Sequence, residues 1–594
     1  MVIFQSQFPR LALPEQDIFS FIFGSKSRPV PSDHVMFQDG DIDKFYTHSG
    51  VKEMSQAFGA GLKSTFNWQK GDILTLFASN SIDIPVVMLG TLLAGGTFSP
   101  ANPAYTATEL ANQLMDSQPK AIAIQYRSLT VVKEAAQQAG IPRLPILLIG
   151  AERDPSSQIV HFTELRTLSS GPTPNTSTPT KIKPKTDIAF LVYSSGTTGK
   201  PKGVQLSHYN VTSNISQLQP GDQEYLTWDG SKTCRDIPLP KTGLGGDKVL
   251  VCVPMYHILG LTKAIINPLY RGVTAIVMER FEIKLWCALV QRHAITFSYI
   301  VPPIVLLLCK DKAVLSYDLS SIRMANSGAA PLSKELIDAC HRRTGIRIKQ
   351  GYGMTETCPT VFNQTWDDWD RPVGSTGQLL PNVEAKICQP FEECASTLGE
   401  KQTTVQSESE GLELGQVGEV YVRGPNVFLG YHNNVAATRD CLSPSGWYRT
   451  GDVGYIDPRG NLFITDRVKE LIKYKGNSVA PVELEGFLLD HPLVDDCAVV
   501  GVQSAALGTE VPTAYVVLKA SHTTKESQEL ANKIRQWFDG RVVNYKKLRG
   551  GVKFVGAIPK SASGKILRRV MKQWVRAEEG KTQDGAASSL FAKL

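Results

Sequence analysis

The stretch Tyr193-Ser-Ser-Gly-Thr-Thr-Gly-Lys-Pro-Lys-Gly-Val204 constrains this chain more than any other, together with the apolar run Ile188-Ala-Phe-Leu-Val192 before it. A short apolar run of this kind reads as a buried strand. The loop after it holds three glycines, four Ser/Thr hydroxyls and two lysines. Glycine lets backbone N–H groups approach an anion closely, hydroxyls donate to it and lysines neutralise it. That chemistry suits a polyphosphate. The loop is not a Walker A motif, which needs Gly five positions before the Gly of Gly-Lys and Ser or Thr after the Lys. Ser194 stands at the first of those positions relative to Gly199-Lys200, and Pro201 stands at the second.

Around this loop, strand-like runs alternate with helical patterns. Ile73–Phe77 precedes an apolar helix near Ile84–Leu93, and Ala121–Ile124 precedes helical spacing over Leu129–Ala139, with a further apolar run at Leu144–Ile149. This rhythm predicts an α/β fold with a largely parallel sheet under covering helices. Gly415–Gly424 and Asn461–Thr465 read as later strands. Ser169–Lys185, rich in Pro, Ser and Thr, reads as a surface connection. Gln219–Asp247 and Gln389–Gln416 read as solvated polar insertions, and Leu518–Lys525 as a loop.

Composition narrows the class. The 594 residues permit more than one domain, since domains average about 150 residues. Hydrophobic and charged fractions of 42% and 20% are those of an ordinary globular protein. The net charge of +7 is spread without a basic block, which favours anionic substrates and gives no reason to invoke nucleic acid. Ten cysteines without a Cys-x-x-Cys pair argue against structural zinc and for reduced thiols in an intracellular compartment. The N-terminus reads as no secretory signal. The most apolar segments are interrupted by Asp83, by Gly95-Gly96 and by Pro302-Pro303, so no transmembrane segment is expected. Ala592-Lys593-Leu594 resembles the Ser-Lys-Leu peroxisomal address and follows a polar tail, which predicts capture by the peroxisomal import receptor, or else a cytoplasmic protein.

Further motifs follow the phosphate-type loop in a fixed order: Val253–Gly260, Ser327–Leu332, Gln350–Glu356, Gly446–Asp452, Thr465–Gly476 and Pro559–Lys565. Together they resemble the acyl-adenylate-forming enzymes, nearest to the coumarate–CoA-ligase-like acyl-CoA ligases, and the resemblance covers roughly residues 40 to 575. It implies a large N-terminal domain over 1–465, built of parallel-rich sheets with helices. A small mobile α+β domain over 466–578 and a polar tail over 579–594 would follow. The implied activity is an AMP-forming acid–thiol ligation: a carboxylic acid and ATP give acyl-AMP and pyrophosphate, then CoA takes the acyl group and AMP leaves.

The resemblance also assigns residues. Ser194, Ser195, Gly196, Thr197, Thr198, Gly199, Lys200, Lys202 and Gly203 would hold the β- and γ-phosphates. Ala329, Gln350, Gly351, Tyr352, Gly353 and Met354 would surround AMP, with Tyr352 stacking on adenine or lining the pocket. Thr355 would contact the α-phosphate and Glu356 would hold Mg²⁺, which takes one or two carboxylates beside phosphate oxygens. Asp452 would accept from the ribose hydroxyls, and Arg467 would reach ribose or phosphate. Lys565 would bridge the substrate carboxylate and the α-phosphate. Lys469 would be the hinge of the small domain, and Lys473, Lys475 and Gly476 would line the CoA path. Tyr256, His257, Ser327, Gly328, Ala329 and Gly351 would shape the acyl pocket, with His257 orienting or gating. One position departs: Ser478 stands where coumarate ligases carry glutamine. Two other readings remain at this point: an adenylate-forming enzyme with a non-CoA fate, as in luciferases or free-standing adenylation enzymes, and a non-catalytic binding protein of the same fold.

Overall fold

In the computed structural model the described residues are 2–24, 30–168, 180–194, 201–222, 225–230, 246–330, 332–372, 374–389, 411–468, 470–475, 477–504, 507–519, 528–561, 564–568 and 570–575. The expected import signal, the hinge residue Lys469 and Gly476 lie outside them, as do Ser195, Gly196, Thr197, Thr198, Gly199 and Lys200.

The fold is mixed α/β with three large sheets in the N-terminal part. The first runs in the order Gly430–Tyr431, Lys202–Ser207, Ile188–Ser194, Thr97–Ala101, Ile73–Phe77, Ala121–Ile124 and Ile146–Leu148. Its last five strands are parallel, and Lys202–Ser207 returns antiparallel to Ile188–Ser194. The second sheet has nine strands. Its centre is parallel: Ile348–Gly353, Met324–Ser327, Phe297–Ile300, Lys248–Val251, Thr274–Val277 and Val35–Asp39. The third sheet departs from the parallel expectation. Its five strands, ending with Gly418–Arg423, Tyr448–Ile456 and Leu462–Arg467, pair antiparallel throughout, and a short connection joins the last two.

Local chemistry explains the main packing. Ile84–Leu93 starts with Pro85 in its first turn and is buried from Ile84 to Leu92. It crosses the helix His48–Phe66 at two glycines. A Cβ on Gly59 would come within 2.7 Å of the Gly90 carbonyl oxygen, and one on Gly90 within 2.7 Å of that of Ser55. Two backbones therefore meet where neither chain has a side chain.

Most of Leu518–Lys525, read as a loop, lies outside the described residues, and the next described element is the helix Gln528–Asp539. Gln219–Asp247, read as a solvated insertion, instead begins with the short helix Gln219–Asp222, and Asp222 is buried in ion pairs with Arg271 and Lys349. A charged residue goes inside when partners satisfy it, which polarity alone does not reveal. The C-terminal part has its own core, with Ile472, Leu484, Leu488, Val499, Val516 and Phe538 among its buried residues. No helix among the described residues is long and apolar enough to cross a membrane.

Candidate active site

Ser194 and Lys202 close the ends of the phosphate-type loop, paired across the hairpin formed by Ile188–Ser194 and Lys202–Ser207. Tyr193 anchors the base by donating its hydroxyl to Asp116 Oδ2 at 2.6 Å. Burial and that hydrogen bond hold the phenol far above its ordinary range, so it stays a donor. On the other side, Ser194 Oγ donates to Glu356 Oε1 at 3.3 Å and Tyr431 OH donates to the same oxygen at 2.8 Å. The Lys202 ammonium lies 4.9 Å from the centre of the Tyr431 ring. Four side chains from distant stretches thus converge at the loop. Thr355 and Glu356 are buried in the single turn Thr355–Thr357, between the strands Ile348–Gly353 and Thr360–Asn363.

Glu356 Oε2 receives no donor among the described residues. No group of three metal-ligating side chains occurs among them either. One buried carboxylate with a spare oxygen fits a cation shared with a nucleotide, since Mg²⁺ keeps phosphate and water ligands rather than filling a protein cage.

A second group forms at the antiparallel sheet. Asp452 on Tyr448–Ile456 pairs in register with Arg467 on Leu462–Arg467. Its Oδ1 meets Arg467 Nε at 2.8 Å and its Oδ2 accepts from Tyr352 OH at 2.7 Å. Burial and Asp452 push the Tyr352 phenol well up, so it too remains protonated. The strand carries Asp466 and Arg467 within the sheet, and the chain crosses to the C-terminal part only after them. Gln350 is locked by its neighbours: its N–H donates to Gln364 Oε1 at 2.7 Å and its side-chain amide to the Ser375 carbonyl at 3.3 Å. Gly353 is needed sterically, because a Cβ there would sit 1.7 Å from the Pro359 carbonyl oxygen.

Lys565 reaches this second group. It lies within electrostatic range of Arg467, Glu470, Asp452 and Arg568, and burial with the Arg467 guanidinium pulls its ammonium down to about 8. Gly564 before it has φ +80, and a Cβ there would come within 2.7 Å of the Pro303 ring and 3.7 Å of Val301. The lysine segment therefore presses on the carboxyl end of the strand Phe297–Ile300. In an open parallel sheet that end borders the ligand crevice.

His257 lies past the carboxyl end of Lys248–Val251. Burial pulls its imidazole down to about 4, and its Nδ1 accepts from Leu259 N–H at 3.4 Å, which fits a neutral ring carrying its proton on Nε2. Burial raises the neighbouring Tyr256 to about 12. Ser327 is buried, its hydroxyl without a hydrogen-bond partner among the described residues, while a Cβ on Gly328 would meet only the Gly351 carbonyl oxygen and Ala329 adopts φ +71. Met354 N–H donates to Thr357 Oγ1 at 3.1 Å, which fixes the turn into Glu356. Lys473 and Lys475 occupy a different place. They lie on a hairpin whose backbone bonds run to Glu510 and Thr509, away from the groups above.

The AMP-binding enzyme family matches residues 26–432, and its C-terminal domain matches residues 483–565. The chain belongs to the AMP-binding enzymes. Among curated relatives of this AMP-binding enzyme, a probable 4-coumarate–CoA ligase of Dictyostelium discoideum is 35% identical, covering 96% of this chain and 97% of its own. A 4-coumarate–CoA ligase of Vanilla planifolia is also 35% identical, with 96% of each chain covered. Among solved structures, ATP-bound MatB from Rhodopseudomonas palustris superposes with a TM-score of 0.77 at 26% identity, over 94% of this chain and 98% of the other.

Tyr431 and Asp116 were not expected at the site. Both act through contacts between residues far apart in sequence, and neither sits in a recognisable motif.

Proposed function

We propose that this AMP-binding enzyme is an ATP-dependent acyl-CoA ligase. The observation that carries the reading is the docking of Gly564-Lys565 within electrostatic range of Asp452 and Arg467, at the carboxyl end of the strand Phe297–Ile300, which pairs with the strand that carries Ser327. A carboxylate oxygen attacks the α-phosphorus of ATP, the bond to pyrophosphate breaks, and acyl-AMP forms. The CoA sulfur then attacks the acyl carbon and AMP leaves. Repulsion between carboxylate and triphosphate dominates the first barrier, so a cation delivered between them is the chief need.

Lys565 supplies that cation, and Thr355 donates to the α-phosphate. Ser194 and Lys202, with the loop 195–200 between them, hold the β- and γ-phosphates. Asp452 and Arg467 take the ribose, and Tyr352 orients Asp452. Gln350 to Met354 border the nucleotide, and neutral His257 orients the acid at the mouth of the acyl pocket. A Mg²⁺ ion held by Glu356 would neutralise phosphate charge. Rotation about Lys469 would withdraw Lys565 and bring forward Lys473, Lys475 and Gly476 for CoA. The relatives' names support an aryl-propenoic acid such as 4-coumarate as the first acid to try.

The test combines purified protein with ATP, Mg²⁺ and a panel of aryl and fatty acids, with and without CoA. Mass spectrometry scores acyl-AMP and acyl-CoA. A CoA thioester is the expected product; acyl-AMP that accumulates in the presence of CoA would point to another acceptor. Lys565→Ala is expected to slow adenylation by about 10²–10³-fold. It should spare thioester formation from supplied acyl-AMP.

A further inference from the structure

Lys263 carries its amine into the interior of the fold. The residue is 4% exposed and lies in the apolar run Ile258-Leu-Gly-Leu-Thr-Lys-Ala-Ile-Ile266. No hydrogen bond or ion pair reaches its amine among the described residues. Its surroundings are already positive. Arg271 meets Asp222 Oδ2 at 3.3 Å, Lys349 meets Asp222 Oδ1 at 2.5 Å, and both cations lie in electrostatic range of Lys263. One carboxylate therefore faces three basic side chains. Burial pulls Lys263 down to about 7, with Asp222 opposing the shift and Lys349 and Arg271 adding to it. A buried charge left in this state is costly unless something pairs with it.

The sheet register says where this amine sits relative to the reaction centre. Tyr299 pairs with Asn326, and Asn326 with Lys349, so these three side chains form one row on one face of the parallel sheet. Lys263, Asn267 and Arg271 are spaced by four along the helical segment that covers this face. Asn267 Nδ2 donates to Tyr299 OH at 3.1 Å, and Arg271 Nε to Asn267 Oδ1 at 3.3 Å. One step along the strands, the same face carries Val301, Gly328 and Gly351. At Gly328 an added Cβ would meet only the Gly351 carbonyl oxygen, at 3.6 Å. Val301 is also the residue on which Gly564 rests. Gly328 thus leaves this step of the face without a side chain, between the strand end that Gly564 contacts and the row that carries Lys349.

We infer that Lys263 determines acyl specificity, and that the acid activated here bears a second acidic group at the end remote from the reacting carboxylate. The inference rests on the ligase reading above. The chemistry is that of an anion entering a pocket with surplus buried positive charge. A distal carboxylate and a distal phenolate share it.

The experiment compares kcat/KM for matched pairs of acids with the whole enzyme: 4-carboxycinnamate against cinnamate, suberate against octanoate, and 4-coumarate against cinnamate for the phenol case. The wild type is expected to favour the member with the second acidic group by about 10²-fold, the scale of discrimination that a buried charge partner provides. Lys263→Met should abolish or invert that ratio through KM while keeping turnover of octanoate and cinnamate. Preference for the carboxylates alone would assign a carboxylate, and preference for 4-coumarate alone a phenolate. Equal use of both members by the wild type, or preference for the neutral tails, would overturn the inference and leave the ligase reading standing. So would an unchanged ratio in Lys263→Met with a lowered melting temperature, because the lysine would then serve only the Asp222 cluster. The wild-type ratio decides even if the variant does not fold, and a lack of product from every acid would overturn both readings.

Discussion

Two buried charge clusters in this enzyme are imbalanced in opposite directions. Beneath the parallel sheet, Asp222 faces Arg271, Lys349 and Lys263. Where the chain enters the C-terminal part, Arg568 faces three acids: it meets Glu470 Oε2 at 3.3 Å and both Glu485 oxygens at 2.8 Å, and lies in range of Asp466. Each cluster lacks a counter-charge. The acidic one can supply its own, because burial pushes both Asp466 and Glu485 up to about 7 and a bound proton cancels the surplus. The basic one loses its surplus only when Lys263 gives up a proton or an anion arrives. A cluster that balances itself by protonation suits a structural joint; one that awaits an anion suits a binding pocket.

The largest effect should come from removing Arg568, the cation that pairs directly with Glu470 and Glu485 in the acidic cluster. Arg568→Met leaves three carboxylates facing one another with no guanidinium between them. Breaking a buried pair on one side costs about 3–5 kcal/mol. The C-terminal core should melt before the rest, and adenylation should fall with it because Lys565 is three residues away. Limited proteolysis with mass mapping would follow the loss. An undisturbed C-terminal core would break the comparison, since the arginine would then not be what holds the acids together.

A smaller effect concerns pH. Asp466 and Glu485 are protonated more readily in the folded chain than in an unfolded one, where they start from 3.8 and 4.5. Between those values and about 7, the folded state holds more protons than the unfolded state. Stability from this source is therefore fully present below about 4 and is lost as pH rises through 7. Thermal unfolding or hydrogen exchange of the C-terminal core from pH 5 to 8 should show this slope. Asp466→Asn with Glu485→Gln should flatten it. A slope unchanged in the double variant would assign it to other groups.

How much of this was legible in the sequence depends on range. The helix Ile84–Leu93 was readable to its ends because its cause is local: a Pro in the first turn and apolar residues all round. The strands Ile73–Phe77 and Ala121–Ile124 were readable for the same reason. The phosphate-type loop announced itself by composition, and the hairpin that frames it agrees. Nothing local marks Tyr431 as the partner of Glu356, 75 residues away, or Arg568 as the partner of Glu485, 83 residues away. Asp222 was hidden by its polar surroundings. Lys263 did leave a signal, a single charge inside an apolar run, whose meaning required the register of three strands to read.

The smallest effect sharpens the comparison at its border. Lys565 sits at the edge of the acidic cluster, lowered by burial and Arg467 and partly restored by Glu470 and Asp452, to about 8. If its positive charge is what adenylation needs, kcat/KM for ATP in pyrophosphate exchange should be flat below pH 8 and fall towards about tenfold per unit above it. Lys565→Arg keeps its charge at every accessible pH, so the basic limb should disappear while the level drops through altered shape. Glu470→Gln removes one of the acids that support the ammonium. The limb should then move to lower pH, while Lys263 and its two positive neighbours, Lys349 and Arg271, keep acid selectivity where it was. A basic limb that persists in Lys565→Arg would belong to another group, and the acidic cluster would have no part in setting the pH dependence of adenylation.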